Sequence, residues 1–248
     1  MRNGISRKVK AFSRRLGIEI GRYPPKPGPT ELWEAWAGHL GRSGADKTIF
    51  DVGANRGQTI SWFRPLFPQA RIFAFEPLPQ PFAELARLAE VDGNVIPQNL
   101  GLGDKAGKFP IYENSVDTTS SLLQNSSSID LYAPAHMVQP KGNCTIEVRR
   151  LDEFCATAGI TSIDVLKIDA QGYESRILDG CGDLLNPSNI RALYLELMFV
   201  PFYEDQCWGG ELIEKLRAHG YRLFGMTGVD YDQQFGWRWC DAMFVPAE

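Results

Sequence analysis

The chain has 248 residues, of which 44% are apolar and 23% charged, and its formal net charge is −4. This length and composition predict one large domain or at most two small ones, and the charge does not favour nucleic-acid binding. The five cysteines form no C-x-x-C pair and are odd in number, which argues against a disulfide framework or structural zinc site and favours a cytoplasmic setting.

The N-terminal segment is strongly basic, because residues 1 to 23 carry seven Lys or Arg residues against one acid. Ile5, Val9, Phe12 and Leu16 recur on one face of a predicted helix. Such a helix could contact a membrane surface or another anionic partner, or pack its apolar stripe on the main domain. The short stripe favours packing. No apolar run approaches the length of about 18 residues that spans a bilayer, and the segment lacks the apolar core of a secretory signal.

Residues 23 to 29 (YPPKPGP) break the chain, and residues 31 to 41 predict a helix that leads into the main domain. From there strand and helix patterns alternate, which indicates a parallel sheet with helices on both faces. Because a polar segment without a helical pattern separates the last two strands, we expect them to pair antiparallel. The predicted strands occupy residues 48–53, 70–77, 94–103, 108–113, 162–169, 190–197, 221–226 and 241–246. The helices between them are predicted to begin near residues 59, 81, 173 and 209.

Residues 114 to 143 interrupt this alternation and are rich in Ser, Asn and Thr. A long irregular insert in a compact domain is usually a functional lid or a disordered loop. The predicted organisation is therefore a leading segment, residues 1–46, with the basic helix, a proline-rich linker and the lead-in helix. One domain, residues 47–248, follows and carries the insert.

The first predicted strand runs into a glycine turn, IFDVGANRGQT. A phosphate-binding P-loop would need Lys after its last glycine, but Gln58 follows Gly57. Asn55 stands where a dinucleotide fingerprint has its second glycine, which disfavours a pyrophosphate and with it a nicotinamide-dependent oxidoreductase. Asp51 could hold an ammonium or order the turn, and Glu76 at the end of the next strand could bind a ribose diol. Alternatively, the glycines serve only the tight turn and the acid is simply exposed.

A second polar cluster lies in SIDVLKIDAQGYE. Lys167 and Asp169 are two residues apart, so they point to the same side of a strand that is otherwise apolar. They could pair with each other or with Glu174, or they could face a ligand at the carboxyl end of the sheet. Glu196 ends the next strand and could join Asp169 in deprotonating a hydroxyl or holding a divalent metal, or could cap the following helix. With no third ligand evident, metal binding is not favoured.

These segments together resemble a known family. IFDVGANRGQT, FAFEPLPQPFAEL, NLGLGDKAG, RRLDEF and above all IDVLKIDAQGYESRILDG are similar to motifs of the FkbM-type S-adenosylmethionine-dependent methyltransferases, a branch of the class I methyltransferases. The resemblance covers about residues 47 to 246. It implies a Rossmann-like α/β fold, with a seven-stranded mixed sheet, an antiparallel last strand and helices on both faces. It also implies S-adenosylmethionine as cofactor and S-adenosylhomocysteine as product.

The same resemblance assigns cofactor-binding roles to individual residues. The methionine part of the cofactor is expected at the glycine turn, lined by Asp51, Gly53, Ala54, Asn55 and Gly57, with Asp169 also in contact. Glu76 is expected to hold the ribose hydroxyls, and Asn99 to lie by the adenine.

Methyl transfer to a hydroxyl requires alignment of the acceptor oxygen and removal of its proton. The candidate catalytic residues are Asp169, Glu174, Glu196 and Lys167, together with His136 in the insert, although a single loop histidine is more often a solvated surface residue.

Polar residues that open the insert, Asp117, Thr118, Ser120 and Ser121, could line the acceptor pocket or simply form the loop. Trp208, Trp237 and Trp239 could stack on a sugar or serve packing. The expected activity is O-methylation of a hydroxyl on a sugar, a glycolipid or a natural product. A membrane-surface contact through the basic helix stays an open alternative to its packing on the domain. N-methylation and a non-catalytic nucleotide-binding scaffold are the alternatives.

Overall fold

The computed structural model describes residues 29–40 and 47–247. The predicted basic helix and most of the linker lie outside these residues. The predicted lead-in helix is α1 (Pro29–Leu40). Trp33 of α1 is fully buried and packs edge-on against Phe63 and at a tilt against Tyr194. The lead-in helix therefore contributes to the core of the main domain.

A seven-stranded sheet forms the centre of the fold, in the order β3-β2-β1-β7-β8-β10-β9. Strand β10 is antiparallel to β8 and β9, and the other pairs are parallel. The predicted mixed sheet with an antiparallel last strand is confirmed. Its strands are β1 (Thr48–Val52), β2 (Arg71–Phe75), β3 (Val95–Gln98), β7 (Val165–Ile168), β8 (Leu193–Met198), β9 (Tyr221–Asp232) and β10 (Gly236–Pro246).

Helices follow the parallel strands and cover both faces of the sheet. The central strands β1 and β7 are therefore buried along their whole length. The helices after α1 are α2 (Ile60–Leu66), α3 (Pro79–Val91), α4 (Ala135–Val138), α5 (Leu151–Ala158), α6 (Glu174–Asp179) and α7 (Gly209–Ala218). None of the described helices is long and apolar enough to cross a membrane. All five cysteines are free thiols.

The last two strands are longer than predicted, since β9 and β10 form a hairpin that continues past the end of β8. The hairpin turn closes at Gly236, whose φ of 77° suits glycine. The predicted strand over residues 94–103 is also different, because it divides into β3 and β4 (Gly101–Leu102), and β4 belongs to a second sheet.

The second sheet has three strands in the order β4-β6-β5, with β5 at Gly107–Asn114 and β6 at Pro140–Arg149. The prediction of an irregular insert over residues 114–143 was therefore wrong at both ends, which belong to strands. Two 3₁₀ turns, Asp117–Thr119 and Ile129–Leu131, and α4 lie between β5 and β6. Hereafter, residues 115–139 are called the insert.

The insert is tied to the carboxyl ends of the central strands. The guanidinium of Arg56 lies 2.6 Å from the Asp117 carboxylate, and Ser121 Oγ donates to the carbonyl oxygen of Gln171. Tyr203 Oη donates to the carbonyl oxygen of Thr119. These contacts place the insert over the edge of the sheet where open α/β folds bind their ligands.

Candidate active site

The glycine turn after β1 adopts a conformation that only certain residues tolerate. Gly53 and Asn55 have φ values of 73° and 48°, in the left-handed region that glycine and asparagine accept most readily. A Cβ on Gly53 would lie 1.9 Å from the carbonyl oxygen of Asp169. Gly53 and Ala54 donate their backbone N–H groups to Phe75 O at 3.0 and 2.9 Å. The turn is thus held against the ends of both β2 and β7.

Lys167 stabilises this turn through a hydrogen bond and ion pairs. Its Nζ donates to Gly53 O at 2.9 Å and lies 2.9 Å from Asp51 Oδ1 and 3.8 Å from Asp169 Oδ2. Lys167 and Asp51 are both buried and face each other in the register of β1 and β7. Burial raises the pKa of Asp51, and Lys167 opposes the shift. Asp51 therefore pairs with an ammonium of the protein itself and orders the turn.

Glu76 lies at the end of β2 with its carboxylate fixed by two backbone donors. Asn55 N donates to Oε2 at 2.9 Å and Leu78 N donates to Oε1 at 2.8 Å. Since a carboxylate oxygen can accept more than one hydrogen bond, both oxygens keep capacity for a further donor. Burial raises the pKa of Glu76 to about 7, although the two backbone hydrogen bonds oppose the shift.

A first cavity lies beside Glu76, with walls marked by Gly53, Asn55, Glu76, Leu102, Asp117 and Tyr173. Much of its wall beyond the carboxylate is apolar and comes from β2, β4 and the insert. This cavity offers an acceptor for a ribose diol, an apolar slot for a flat base and the glycine turn for an amino-acid tail. The residues therefore fit S-adenosylmethionine.

Asn99 follows the end of β3 and contacts the backbone beside Glu76. Its Nδ2 donates to the carbonyl oxygens of Glu76 and Pro77 at 2.9 and 3.1 Å. Asn99 is exposed and does not line the first cavity, whereas the following residues Leu100 and Gly101 do. Its observed contacts hold the backbone that carries Glu76.

A second cavity opens on the other side of Asp169, with walls marked by Tyr132, Asp169, Glu196, Phe202, Arg238 and Asp241. Thr118, Asp169 and Gln171 line both cavities. The side chain of Asp169 is 47% exposed, so its carboxylate is accessible where the cavities meet. A ligand in either cavity can therefore approach the same carboxylate.

Gln171 links the carboxylates of the second cavity. Its Nε2 donates to Asp169 Oδ1 at 3.0 Å and to Glu196 Oε2 at 3.2 Å. Its Oε1 lies 2.8 Å from Tyr203 Oη, whose single proton is shared between this oxygen and Thr119 O. The φ of Gln171 is 55°, an uncommon value for a residue other than glycine. Because Tyr203 fixes the carbonyl end of the amide, the NH₂ end is directed to the two acids.

Two acids face each other on the neighbouring strands β8 and β10, where Glu196 and Asp241 lie directly opposite each other. Like charges in such positions destabilise a sheet. Burial raises the pKa of Glu196 well above its usual range, and Asp169, Glu174 and Asp241 add to the shift. Burial and the nearby Asp169 raise the pKa of Asp241 to about 6. This cost in stability suggests that the cluster serves a function.

Other predicted catalytic residues lie outside the walls of both cavities. Glu174 is buried, and its Oε1 accepts a hydrogen bond from Ala170 N, so it shapes the loop after β7. Lys167 is buried beneath the glycine turn. His136 is exposed on α4, and the structure does not bring it together with the carboxylates.

The polar residues at the start of the insert lie mainly along the first cavity. Asp117, Ser120 and Ser121 line the first cavity and not the second, whereas Thr118 lines both. Of the three tryptophans considered for sugar stacking, Trp239 lines the second cavity, while Trp208 and Trp237 are exposed.

Sequence reasoning missed several residues of the second cavity, among them Gln171, Tyr203, Arg238 and Asp241. Gln171 stands inside the segment with the strongest family resemblance, and Asp241 is the first residue of the strand predicted over residues 241–246, which is otherwise apolar. Both signals were available in the sequence. Among the described residues, no three His, Cys, Asp or Glu side chains are grouped so that they could hold a metal ion.

The mixed sheet, the glycine turn after β1 and the carboxylate at the end of β2 define a class I methyltransferase. The model of the methyltransferase FkbM domain matches residues 51–223. The chain belongs to this family and is an S-adenosylmethionine-dependent methyltransferase.

Relatives support the same assignment. The chain is 31% identical to the 2-O-methyltransferase NoeI of Sinorhizobium fredii, over 65% of this chain and 67% of NoeI. It is 28% identical to the 31-O-demethyl-FK506 methyltransferase FkbM of Streptomyces tacrolimicus, over 71% and 72% of the two chains. It is 26% identical to the hexuronic acid methyltransferase AglP of Haloferax volcanii, over 58% of this chain and 54% of AglP.

A solved structure shows the same fold. The methyltransferase FkbM of Methylobacillus flagellatus superposes with a TM-score of 0.56 at 14% sequence identity. The superposition covers 89% of this chain and 48% of the other, so the chain spans about half the length of that protein.

Replacing Glu76 with Gln is expected to weaken the binding of S-adenosylhomocysteine by about tenfold, because hydrogen bonds to a charged acceptor are stronger than those to a neutral one. A carboxyl with a raised pKa is protonated below that pKa, so affinity of the native protein should rise as the pH increases through about 7. Calorimetric titration between about pH 6 and pH 8 measures both effects.

The pH profile of Glu76→Gln is the reference for that of the native protein, because protonation of the ligand itself affects the two proteins equally. Glu90→Gln, on the exposed face of α3, is the matched control and should behave like the native protein. An unchanged pH profile in Glu76→Gln would remove the assigned role of Glu76.

Proposed function

We propose that the protein is an O-methyltransferase that acts on a hydroxyl group of a sugar, a glycolipid or a natural product. The observation that carries this proposal is the position of Asp169 between two cavities. One cavity fits the methyl donor, and the other has a carboxylate cluster beside aromatic side chains. A hydroxyl needs a base before it can attack, and an accessible carboxylate at the junction can serve as one.

In the proposed reaction, Asp169 accepts the proton of the acceptor hydroxyl. The bound donor supplies a methyl group made electrophilic by its sulfonium. As the acceptor oxygen forms a bond to the methyl carbon, the bond between that carbon and sulfur breaks, leaving a neutral thioether. Gln171 holds the Asp169 carboxylate, and Glu76 with the glycine turn would hold the donor. The insert, linked to the turn by Asp117 and Arg56, helps to exclude water from the reacting groups.

The relatives support oxygen as the acceptor atom. NoeI is named as a 2-O-methyltransferase and the Streptomyces relative as acting on 31-O-demethyl-FK506. The acids of the second cavity also favour a hydroxyl over an amine. Nearby carboxylates stabilise the protonated form of an amine, and a protonated amine has no lone pair to attack a methyl group.

The proposal is tested by methyl transfer from isotopically labelled S-adenosylmethionine to a panel of glycosides, lipid-linked saccharides and hydroxylated polyketides. The expected product carries one added methyl ether, located by mass spectrometry and NMR. Amine-bearing compounds whose hydroxyls are blocked serve as matched controls. Transfer to these controls, with none to any hydroxyl, would replace the proposal with N-methylation.

A further inference from the structure

The second cavity has an unbalanced charge. Four acids line it, and Arg238 is the one cation among the described lining residues; the acids are Asp169, Glu196, Asp230 and Asp241. Even with Glu196 protonated, the acids outnumber the guanidinium. The wall of the second cavity is therefore acidic.

Arg238 is already engaged by neighbouring groups. Its Nε donates to Asp230 Oδ1 at 2.5 Å, and its Nη1 donates to Tyr132 O at 2.6 Å. The first bond joins β9 to β10, and the second connects this hairpin to the insert. The nearby Lys167 is buried against Asp51 and Gly53 O and does not line the second cavity. An anionic ligand would thus meet several carboxylates and a guanidinium that already has a carboxylate partner.

Apolar and aromatic groups form much of the remaining wall. Tyr132 packs edge-on against Phe202 at a centroid distance of 6.1 Å, and Met198 and Trp239 add further apolar surface. Carboxylates accept hydrogen bonds from hydroxyl or ammonium groups, and aromatic faces contact the C–H faces of rings. This combination suits a ring with several hydroxyl groups.

We propose that the second cavity selects an acceptor whose reacting ring is a polyol without an anionic group, and that Asp241 determines this selectivity. Hydroxyl or amine substituents are accepted, whereas a carboxylate, sulfate or phosphate on that ring is repelled. The inference rests on the proposed function for its use of the second cavity as the acceptor site. It separates this protein from AglP, which is named as a hexuronic acid methyltransferase.

The test uses three matched pyranosides: a methyl glucoside, the glucosaminide with an amine, and the glucuronide with a carboxylate. Binding to the full chain saturated with S-adenosylhomocysteine is measured by ligand-observed NMR, and methyl transfer is measured with S-adenosylmethionine. We expect the glucuronide to bind at least about tenfold more weakly than the other two. In Asp241→Asn this difference should narrow, while Glu90→Gln, which removes an exposed acid on α3, should leave it unchanged.

Each outcome decides the inference. Binding of the glucuronide equal to or stronger than that of the glucoside would overturn it, and so would failure of all three sugars to bind. Preferential binding of the uncharged or amine-bearing sugar without methyl transfer would support the selectivity while contradicting the proposed function. Thermal unfolding of Asp241→Asn, compared with the native protein, shows that a changed preference does not come from a misfolded variant.

Discussion

Lys167→Met is expected to lower the free energy of unfolding by about 3–5 kcal/mol, the usual effect of removing one partner from a buried ion pair. The substitution would leave the Asp51 carboxylate buried without its counter-charge and the Gly53 carbonyl without the lysine donor. Met fills much of the volume of the lysine stem, so a cavity adds little to the loss. Chemical denaturation of the cofactor-free protein provides the measurement.

Two control variants distinguish the effect of losing the Lys167 charge from the effect of changing the packing of its side chain. In the double variant Asp51→Leu/Lys167→Met, most of the lost stability should return, because replacing both members of a buried pair with apolar residues is often nearly neutral. Lys105→Met removes an exposed lysine and should change the free energy of unfolding by less than about 0.5 kcal/mol. A loss of less than about 1 kcal/mol in Lys167→Met would contradict the assigned support of the glycine turn.

Asp169→Asn is expected to reduce kcat by about 10²–10⁴-fold, the usual contribution of a positioned general base. Asparagine keeps the size of the side chain but cannot take the proton of a hydroxyl. Affinity for S-adenosylhomocysteine should change little, since this product lacks the positive sulfonium that a carboxylate would stabilise. Single-turnover methyl transfer and calorimetric titration of the same variant separate chemistry from binding.

Glu196→Gln and His136→Ala are the comparisons for this experiment. Gln keeps the shape of the Glu196 side chain, so this variant should retain more activity than Asp169→Asn if Asp169 is the base. His136→Ala should be close to the native protein, because His136 is exposed and lines neither cavity. A larger loss in Glu196→Gln than in Asp169→Asn would transfer the role of base to Glu196.

Much of the architecture could be predicted from local sequence patterns. Continuous apolar runs such as TIFDV predict buried parallel strands, and the alternation with helices predicts the layer order. The position of the glycine turn and of Glu76 at the end of β2 follows from the same pattern, because residues just after parallel strands meet at one edge of the sheet. The absence of Lys after Gly57 and the presence of Asn55 then argued against phosphate and dinucleotide ligands.

The pairing of the buried charges required the tertiary structure. The sequence left Lys167 with several possible partners, and the register of β1 against β7 places it beside Asp51, more than a hundred residues away in the chain. Similarly, the register of β8 against β10 places Asp241 opposite Glu196. The spacing of apolar residues along the chain predicts whether a segment is a helix or a strand. It does not predict which strand lies beside it or in which register, because these depend on the packing of the whole sheet.

The roles of the insert and of Gln171 also depended on the tertiary structure. The polar composition of residues 114–143 predicted an insert. The pairing of β5 with β6 at its two ends then positions its polar residues along the first cavity. The family, the fold and the glycine turn could be predicted because they follow from local pattern and motif. Which carboxylates share the second cavity could not be predicted, because it follows from contacts between segments that are distant in the chain.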